Sequence, residues 1–521
     1  MSQVPTSKKF DVLIVGSGAG GGAVASRLAA LTRQGARVGM LESGPRYEAR
    51  HNTGDEVDMA SRYYYSLGAF QTSSQDVALA FANVVGGSTA VYTGTSLRAP
   101  AHVFERWGVP GISRAELDPR YENFERQNGV HFTPPDRINL NNQFFKAGCE
   151  KLGWHLEQFP VNTRGCRGRA VCNLGCPGGA KQGTARVQIP QAEQQGLEVF
   201  PHCRVLRISG NKVVIRVAPP PPPISLATQS ARSLSGMGDT QVPVPPWSPG
   251  VHELTAEKIV VAAGAVHSPA LLQRSLGREK LPALGAYFTC HPALILAGRH
   301  AQPLDSLSGH PKCYYSEEFA ASERFLLESC MYYPFTLSKN LAGFGPDLDR
   351  MMNRMTHLQM ILALAIDDAL AHNRVESKGD DDAVVHYKLT EKTIQSLTAS
   401  MRAAAKIFFA AGAEEVHAPA GKTFTISRKD ASRVDELIER KYFKRGKLSV
   451  SAAHLMGGCR MGDNPRSSVT DSWGMVHGYD HIYVADASLF PAAAEINPYL
   501  TVMALADRVG EGILRTMGVA L

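Results

Sequence analysis

The stretch that most constrains this chain runs from Asp11 to Gly44. Phe10-Asp11-Val12-Leu13-Ile14-Val15 is apolar and rich in β-branched residues, the pattern of a strand buried in a parallel sheet. It leads into Gly16-Ser17-Gly18-Ala19-Gly20-Gly21, which satisfies G-x-G-x-x-G, and then into the helix-like segment from Gly22 to Leu31. A second strand, Arg37 to Leu41, ends in Glu42-Ser43-Gly44. Glycines at such a turn let the backbone approach a pyrophosphate, whose charge then sits on the helix N-terminus. Glu42 stands where a carboxylate meets an adenosine ribose. Strand, loop, helix, strand and acid in this order predict a dinucleotide site, with NAD(P) and FAD both open.

With 521 residues the chain exceeds the usual size of a single core, so two or three domains are expected. The formal charge of +7 is spread along the sequence with no block of like charges, which argues against nucleic acid as a partner. No apolar run reaches the ~18 residues of a membrane span, so no transmembrane segment is expected. Met1 to Lys9 is short and polar for a secretory signal, and the expected compartment is the cytoplasm.

Further along, Gly86-Gly87-Ser88-Thr89 suits a backbone pressed against a flat or charged ligand. Ala115 to Glu150 reads as helical. Arg204 to Ile208 and Lys212 to Val217 read as strands, and Pro219 opens a Pro/Ser/Gly-rich insertion reaching Gly250, expected as an exposed loop between two strands. Lys258 to Ala265 repeats the buried-strand pattern and feeds a second helix, with Ser268 as its expected N-cap and Pro269 at its first position. Alternating segments such as Phe325 to Tyr333 and Val384 to Leu389 predict an antiparallel sheet, with a helix from Glu391 to Ala411 beside it. His481 to Ala487 returns to the first style, and Glu495-Ile496-Asn497-Pro498 leads into a last helix. The expected fold class is α/β: a Rossmann-like domain with a parallel sheet, plus an α+β substrate domain with an antiparallel sheet. The nucleotide domain takes 1–284 (with a lid and cysteine-loop region at 51–180 and the insertion at 218–250) and returns at 451–521. The substrate domain is 285–450.

These motifs together resemble the glucose–methanol–choline (GMC) flavin-dependent alcohol oxidoreductases over nearly the whole chain. The matching pieces are Gly16 to Gly21 with Glu42, Gly86 to Thr89, Gly264 to Gly277, His454-Leu455-Met456-Gly457-Gly458-Cys459-Arg460-Met461-Gly462, Tyr483 to Ser488, and Asn497-Pro498-Tyr499-Leu500-Thr501. The C-terminal block is most similar to the bacterial cholesterol-oxidase and long-chain-alcohol-oxidase-like branches. The resemblance implies FAD. Gly16, Gly18, Gly21 and Glu42 would hold its ADP half, and the backbone of Val205 would meet the adenine. Gly86, Gly87 and Ser88 would lie along the flavin, with Gly264, Asp486, Ala487 and Pro498 completing the site. Some members tether the flavin to a histidine just after the double glycine. Val91 and Tyr92 stand there in this sequence, so FAD is expected to be held noncovalently.

Alcohol oxidation removes a hydroxyl proton and a hydride from one carbon, and a histidine is suited to take the proton. The resemblance assigns His454 as general base and Asn497 as the hydrogen-bonding partner that orients the hydroxyl; Asn497 also has the alternative role of a helix N-cap before Pro498. A helix starting there would aim its positive end at the flavin. The leading expectation is oxidation of a bulky, apolar, primary or secondary alcohol, with oxygen, a quinone or a redox protein as electron acceptor. Cys166, Cys172 and Cys176 form C-x5-C-x3-C in a glycine-rich loop. That loop is similar both to the iron–sulfur loop of sugar-oxidising members and to a cluster-free loop of long-chain alcohol oxidases. The alternative is therefore a sugar or polyol dehydrogenase passing electrons through a cluster on these three cysteines. A non-redox lyase-like flavoprotein is a third reading.

Overall fold

A computed structural model of the chain describes residues 8–219, 244, 247–341, 343 and 345–519. The apolar run at the start forms β1 (Lys9–Val15), with Phe10, Val12, Leu13 and Ile14 fully buried. The glycine loop follows, then α1 (Ala19–Thr32) and β2 (Val38–Leu41). β2 pairs in parallel with β1 on one side and with β3 (Glu198–Phe200) on the other. β4 (Cys203–Ser209) pairs antiparallel with β5 (Lys212–Val217), which in turn pairs antiparallel with the long β6 (Gly250–Val261). The first half of β6 pairs with β5. Its second half reads in parallel with β1 and with β7 (Ile482–Val484), the strand that returns from the C-terminal end. The order of the seven strands is β3-β2-β1-β6-β5-β4, with β7 also on β6. The parallel core is as expected, and an antiparallel wing is added to it.

The wing accounts for the place of the insertion. Val217 pairs with Gly250, so the Pro-rich segment expected at 218–250 joins two neighbouring strands of a hairpin. Its residues 220–243, 245 and 246 lie outside the described residues.

After β6 comes α2 (Gly264–Leu276), and the chain closes with α3 (Tyr499–Thr516). α1 and α3 lie along each other. Asp507 on α3 accepts two hydrogen bonds from Arg27 on α1, at 2.9 and 2.5 Å, and one from Arg120 on the neighbouring helix Arg114–Asn128. The first and last of these helices are thereby tied to each other.

The second sheet has ten strands among the described residues. Its centre is Ala293–Arg299, Leu358–Ala365 and Phe325–Cys330, all antiparallel. Every residue of Leu358–Ala365 and Phe325–Cys330 is buried, which requires cover on both faces. The helix Glu391–Ala410 covers one face, with Leu294, Leu296, Ile361 and Ala363 in its cluster. Side chains alternate along a strand, so Ala293, Ile295, Leu362 and Leu364 face the other way, into the cleft. Short strands at Phe70–Gln71, Ala78–Leu79, Glu157–Gln158 and Ser451–Ala452 extend this sheet from outside 285–450.

Two expectations are corrected. The segment Val384 to Leu389 does not join this sheet. Asp382–His386 pairs with Arg374–Lys378 as a separate hairpin, packed on α2. Ser268 is not a helix cap, because α2 begins four residues earlier and Pro269 lies inside it. The first backbone N–H of α2, that of Gly264, is instead capped at 2.7 Å by the Asp486 carboxylate from the far end of the chain.

Candidate active site

One deep cleft runs between the two sheets. At one end the loop after β1 presents Gly16, Gly18 and Ala19, with Glu42 at the tip of β2. α1 starts at this wall with Gly18 as its N-cap, without a side-chain cap and without an acid in its first turn. Its leading N–H groups are therefore left for a ligand anion. Gly21 is not at the wall. A Cβ there would stand 2.0 Å from Gly16 O, so this glycine seats the helix on the loop.

Glu42 is 6% exposed and accepts from Ser17 Oγ at 2.6 Å, Ser17 N at 3.1 Å and Gly44 N at 2.9 Å. Burial raises its pKa, against the lowering effect of these bonds. Ser17 Oγ also accepts from Gly86 N at 2.9 Å and so ties the first glycine motif to the second. This hub was missed from sequence, although Ser17 stands inside the motif. Gly86, like Gly21, shapes the wall from behind. Gly87 (φ +51°) and Ser88 line the cleft. A Cβ on Gly87 would come within 2.7 Å of Gly18 Cα, so the two loops meet backbone to backbone.

Val205 lines the same cleft from β4, as do Gly264, Asp486, Ala487 and Pro498. Asp486 is 5% exposed and stitches three elements: it accepts from Gly264 N, from Ser268 Oγ at 2.5 Å and from Ser488 N at 2.8 Å. Burial raises its pKa too.

The catalytic candidates line the same cleft as the apolar wall. His454 occupies the two-residue gap between the strands Ser451–Ala452 and Leu455–Met456, which pair with Ala293 and with Thr289–Cys290. Asn497 precedes the N-cap of α3. Its amide Nδ2 lies 3.3 Å from His454 Nε2, so its side chain is turned to the histidine and does not cap the helix; its Oδ1 is buried without a partner among the described residues. α3 itself starts at Tyr499, again with no side-chain cap and no acid in the first turn, and Pro498 is its N-cap.

Burial holds the His454 pKa well below the ordinary histidine value, and His291 and Lys312 push in the same direction. The ring is thus neutral and able to accept a proton at neutral pH. Lys312, at the cleft wall, is paired with Glu328; their side chains are 7% and 2% exposed. Neither His291 nor Lys312 carried a local sequence signal. Behind the stretch of wall that carries Tyr92, Lys181 Nζ donates to three carbonyls, of Ala90 (2.7 Å), Tyr92 (2.9 Å) and Cys172 (2.6 Å).

Cys166, Cys172 and Cys176 do not converge as ligands. Cys172 is buried, while Cys166 and Cys176 are half-buried and accept from the backbone N–H groups of Gly168 and Ala180. Among the described residues no group of three or more His, Cys, Asp or Glu side chains is arranged to hold a metal ion. The loop backbone satisfies the Cys166 and Cys176 sulfurs locally, and the iron–sulfur expectation has no support. No helix among the described residues is long and apolar enough to cross a membrane.

Models of the GMC oxidoreductase N- and C-terminal regions match residues 10–293 and 370–506. An uncharacterised GMC-type oxidoreductase of Mycobacterium tuberculosis is 29% identical over 516 residues, covering 97% of this chain and 76% of the relative. A long-chain-alcohol oxidase of Arabidopsis thaliana is 25% identical over 531 residues, covering 97% and 68%. The paromamine 6'-oxidase of Streptomyces fradiae is 26% identical over 550 residues, covering 97% and 91%. Among solved structures, the fold is shared with pyridoxine 4-oxidase from Mesorbium loti (TM-score 0.67, 18% identity, 97% and 99% covered). It is also shared with a formate oxidase (TM-score 0.69, 13% identity, 99% and 100% covered). The chain belongs to the GMC oxidoreductases, a family of FAD-binding enzymes that act on alcohols.

Proposed function

We propose that this enzyme oxidises a bulky, apolar alcohol to the aldehyde or ketone, with His454 as general base and Asn497 orienting the hydroxyl. The observation that carries the reading is the 3.3 Å contact of Asn497 Nδ2 with His454 Nε2, in the same cleft that Gly18 and Glu42 line.

The residues present fit FAD. The uncapped start of α1 suits the pyrophosphate, Glu42 the adenosine ribose, and the Gly87–Ser88 wall a flat ring. Val91 and Tyr92 offer no imidazole for a covalent tether, which supports noncovalent FAD. When bound, FAD supplies the hydride acceptor. The chain does the rest. Asn497 and His454 fix the hydroxyl, and the hydroxyl proton passes to the Nε2 lone pair. Ala293, Ile295, Leu362 and Leu364 give the substrate an apolar wall that excludes water. The uncapped N-terminus of α3 adds a positive field of about 0.3–1 kcal/mol for negative charge that develops before it. The long-chain-alcohol oxidase relatives agree with this wall. The paromamine oxidase makes amino sugars the contrasting class.

Anaerobic bleaching of the flavin by long-chain alcohols or sterols, and not by sugars, is the expected result. Bleaching by sugars alone would overturn the substrate class, and no bleaching by any alcohol would overturn the reaction. His454→Ala should slow that reduction by about 10²–10⁴-fold; an unchanged rate removes His454 as the base. Flavin should leave with the supernatant of denatured protein, whereas a yellow precipitate would contradict noncovalent binding. Re-oxidation by oxygen or by a quinone then identifies the acceptor.

A further inference from the structure

The register that pairs Thr289 with Met456 and Cys290 with Leu455 sets His291 beside His454 one step further along. The two Nδ1 atoms lie 3.0 Å apart, with the rings nearly perpendicular at 88°. Two ring nitrogens at that distance share one proton, so one donates and the other accepts. His291 is fully buried, and its Nε2 has no partner among the described residues. Its one polar contact is therefore the one to His454.

The direction of that bond follows from the other side of the base. Asn497 presents its Nδ2, a donor, to His454 Nε2. Nε2 must then carry a lone pair, and the His454 proton sits on Nδ1. We infer that His291 is a positioning residue: its Nδ1 accepts the His454 Nδ1–H, which keeps the reactive lone pair at Nε2 and steadies the imidazolium formed there. The inference rests on the reading of His454 as general base. In the step it serves, the substrate O–H bond breaks, its electron pair stays on oxygen, and the proton forms the Nε2–H bond. His291 neither gains nor loses a proton.

The surroundings suit that role. Burial takes His291 down to about 4, so it stays a neutral acceptor through the neutral range. The charges facing the pair are themselves matched. Lys312 faces His454 and is bound to Glu328, while Glu495 faces His291 and is held by Arg106 and His102.

The test uses the flavin-loaded enzyme with His291→Phe and His291→Asn. Phenylalanine removes the acceptor, and asparagine returns an amide oxygen near the place of Nδ1. His291→Phe should reduce the anaerobic flavin-reduction rate by about 10- to 100-fold, the range expected of a hydrogen bond to a charged group, and move the acid limb of its pH profile to lower pH. His291→Asn should recover most of the rate. A wild-type rate and profile in His291→Phe overturns the inference, as does an asparagine variant no better than phenylalanine. The ¹⁵N ring resonances of His454 in histidine-labelled wild-type protein give a reading independent of turnover and of how the variants fold. A protonated Nδ1 supports the role; a protonated Nε2 ends it. Normal reduction in His454→Ala removes the base reading itself. Loss there, together with a wild-type His291→Phe, removes only the inference.

Discussion

Replacing Lys181 with methionine should loosen the wall of the cleft that carries Tyr92. The Lys181 ammonium is 6% exposed and holds the carbonyls of Ala90 and Tyr92, after the double glycine, against that of Cys172 in the cysteine loop. Bonds from a charged donor contribute about 1.5–3 kcal/mol each, so the three are worth about 4–9 kcal/mol together. Burial opposes them by taking the lysine pKa from 10.5 to about 8. That depression corresponds to about 3 kcal/mol for keeping the charge inside. The bonds win, and Lys181→Met should destabilise by about 1–6 kcal/mol, since methionine leaves three carbonyls unpaired. The pH dependence has a definite sign. With the folded pKa below the unfolded one, the unfolded chain binds more protons between about 8 and 10.5, so this group's contribution rises with pH in that window. The advantage of wild type over Lys181→Met should be constant below pH 8 and widen from there to 10.5. Thermal melting at one fixed scan rate, followed by flavin fluorescence, reads both stability and cofactor release. A variant that melts with wild type at every pH and keeps its flavin would refute the reasoning.

Other outcomes follow from the same geometry. Gly87→Ala must place a Cβ 2.7 Å from Gly18 Cα and should abolish flavin retention, whereas Gly35→Ala meets nothing within 4 Å and should cost only the backbone strain of its positive φ, about 1–2 kcal/mol; flavin content after gel filtration separates them. Lys312→Met alone should cost about 3–5 kcal/mol by stranding the Glu328 carboxylate, and Lys312→Met with Glu328→Leu should recover most of it; a double variant as unstable as the single one would contradict a matched buried pair. Flavin reduction should stay flat through neutral pH and fall only on acidification well below 6.5, where His454 protonates; an inflection near or above 6.5 would contradict a depressed base. Iron analysis of anaerobically prepared protein should find none, and Cys166→Ser should keep full flavin content.

What could be read from the sequence was what short stretches of chain determine. β1, the glycine loop, α1 and β2 are specified by local apolar patterning and glycine spacing, and the returning strand before Asp486 repeats the pattern. The errors arose where a local signature competed with a distant partner. Ser268-Pro269 has the form of a helix start, but Asp486, 222 residues from Gly264, caps that helix earlier and claims the serine hydroxyl as well. Asn497 was no such error: the cap before Pro498 was only the alternative to its assignment as the partner of His454, and its amide is turned to that histidine, 43 residues back. His291 had no signature of any kind. Its partner is 163 residues away, and their meeting depends on two-residue strands too short to show a period. A base that must be buried, neutral and held in one tautomer needs contacts from several parts of the chain at once, and such contacts leave no trace in any single window of sequence. The side chains that could be named from sequence were therefore those in the glycine motifs and the C-terminal block, His454 and Asn497 among them, and the second contact of His454, with His291, became visible only in the folded structure.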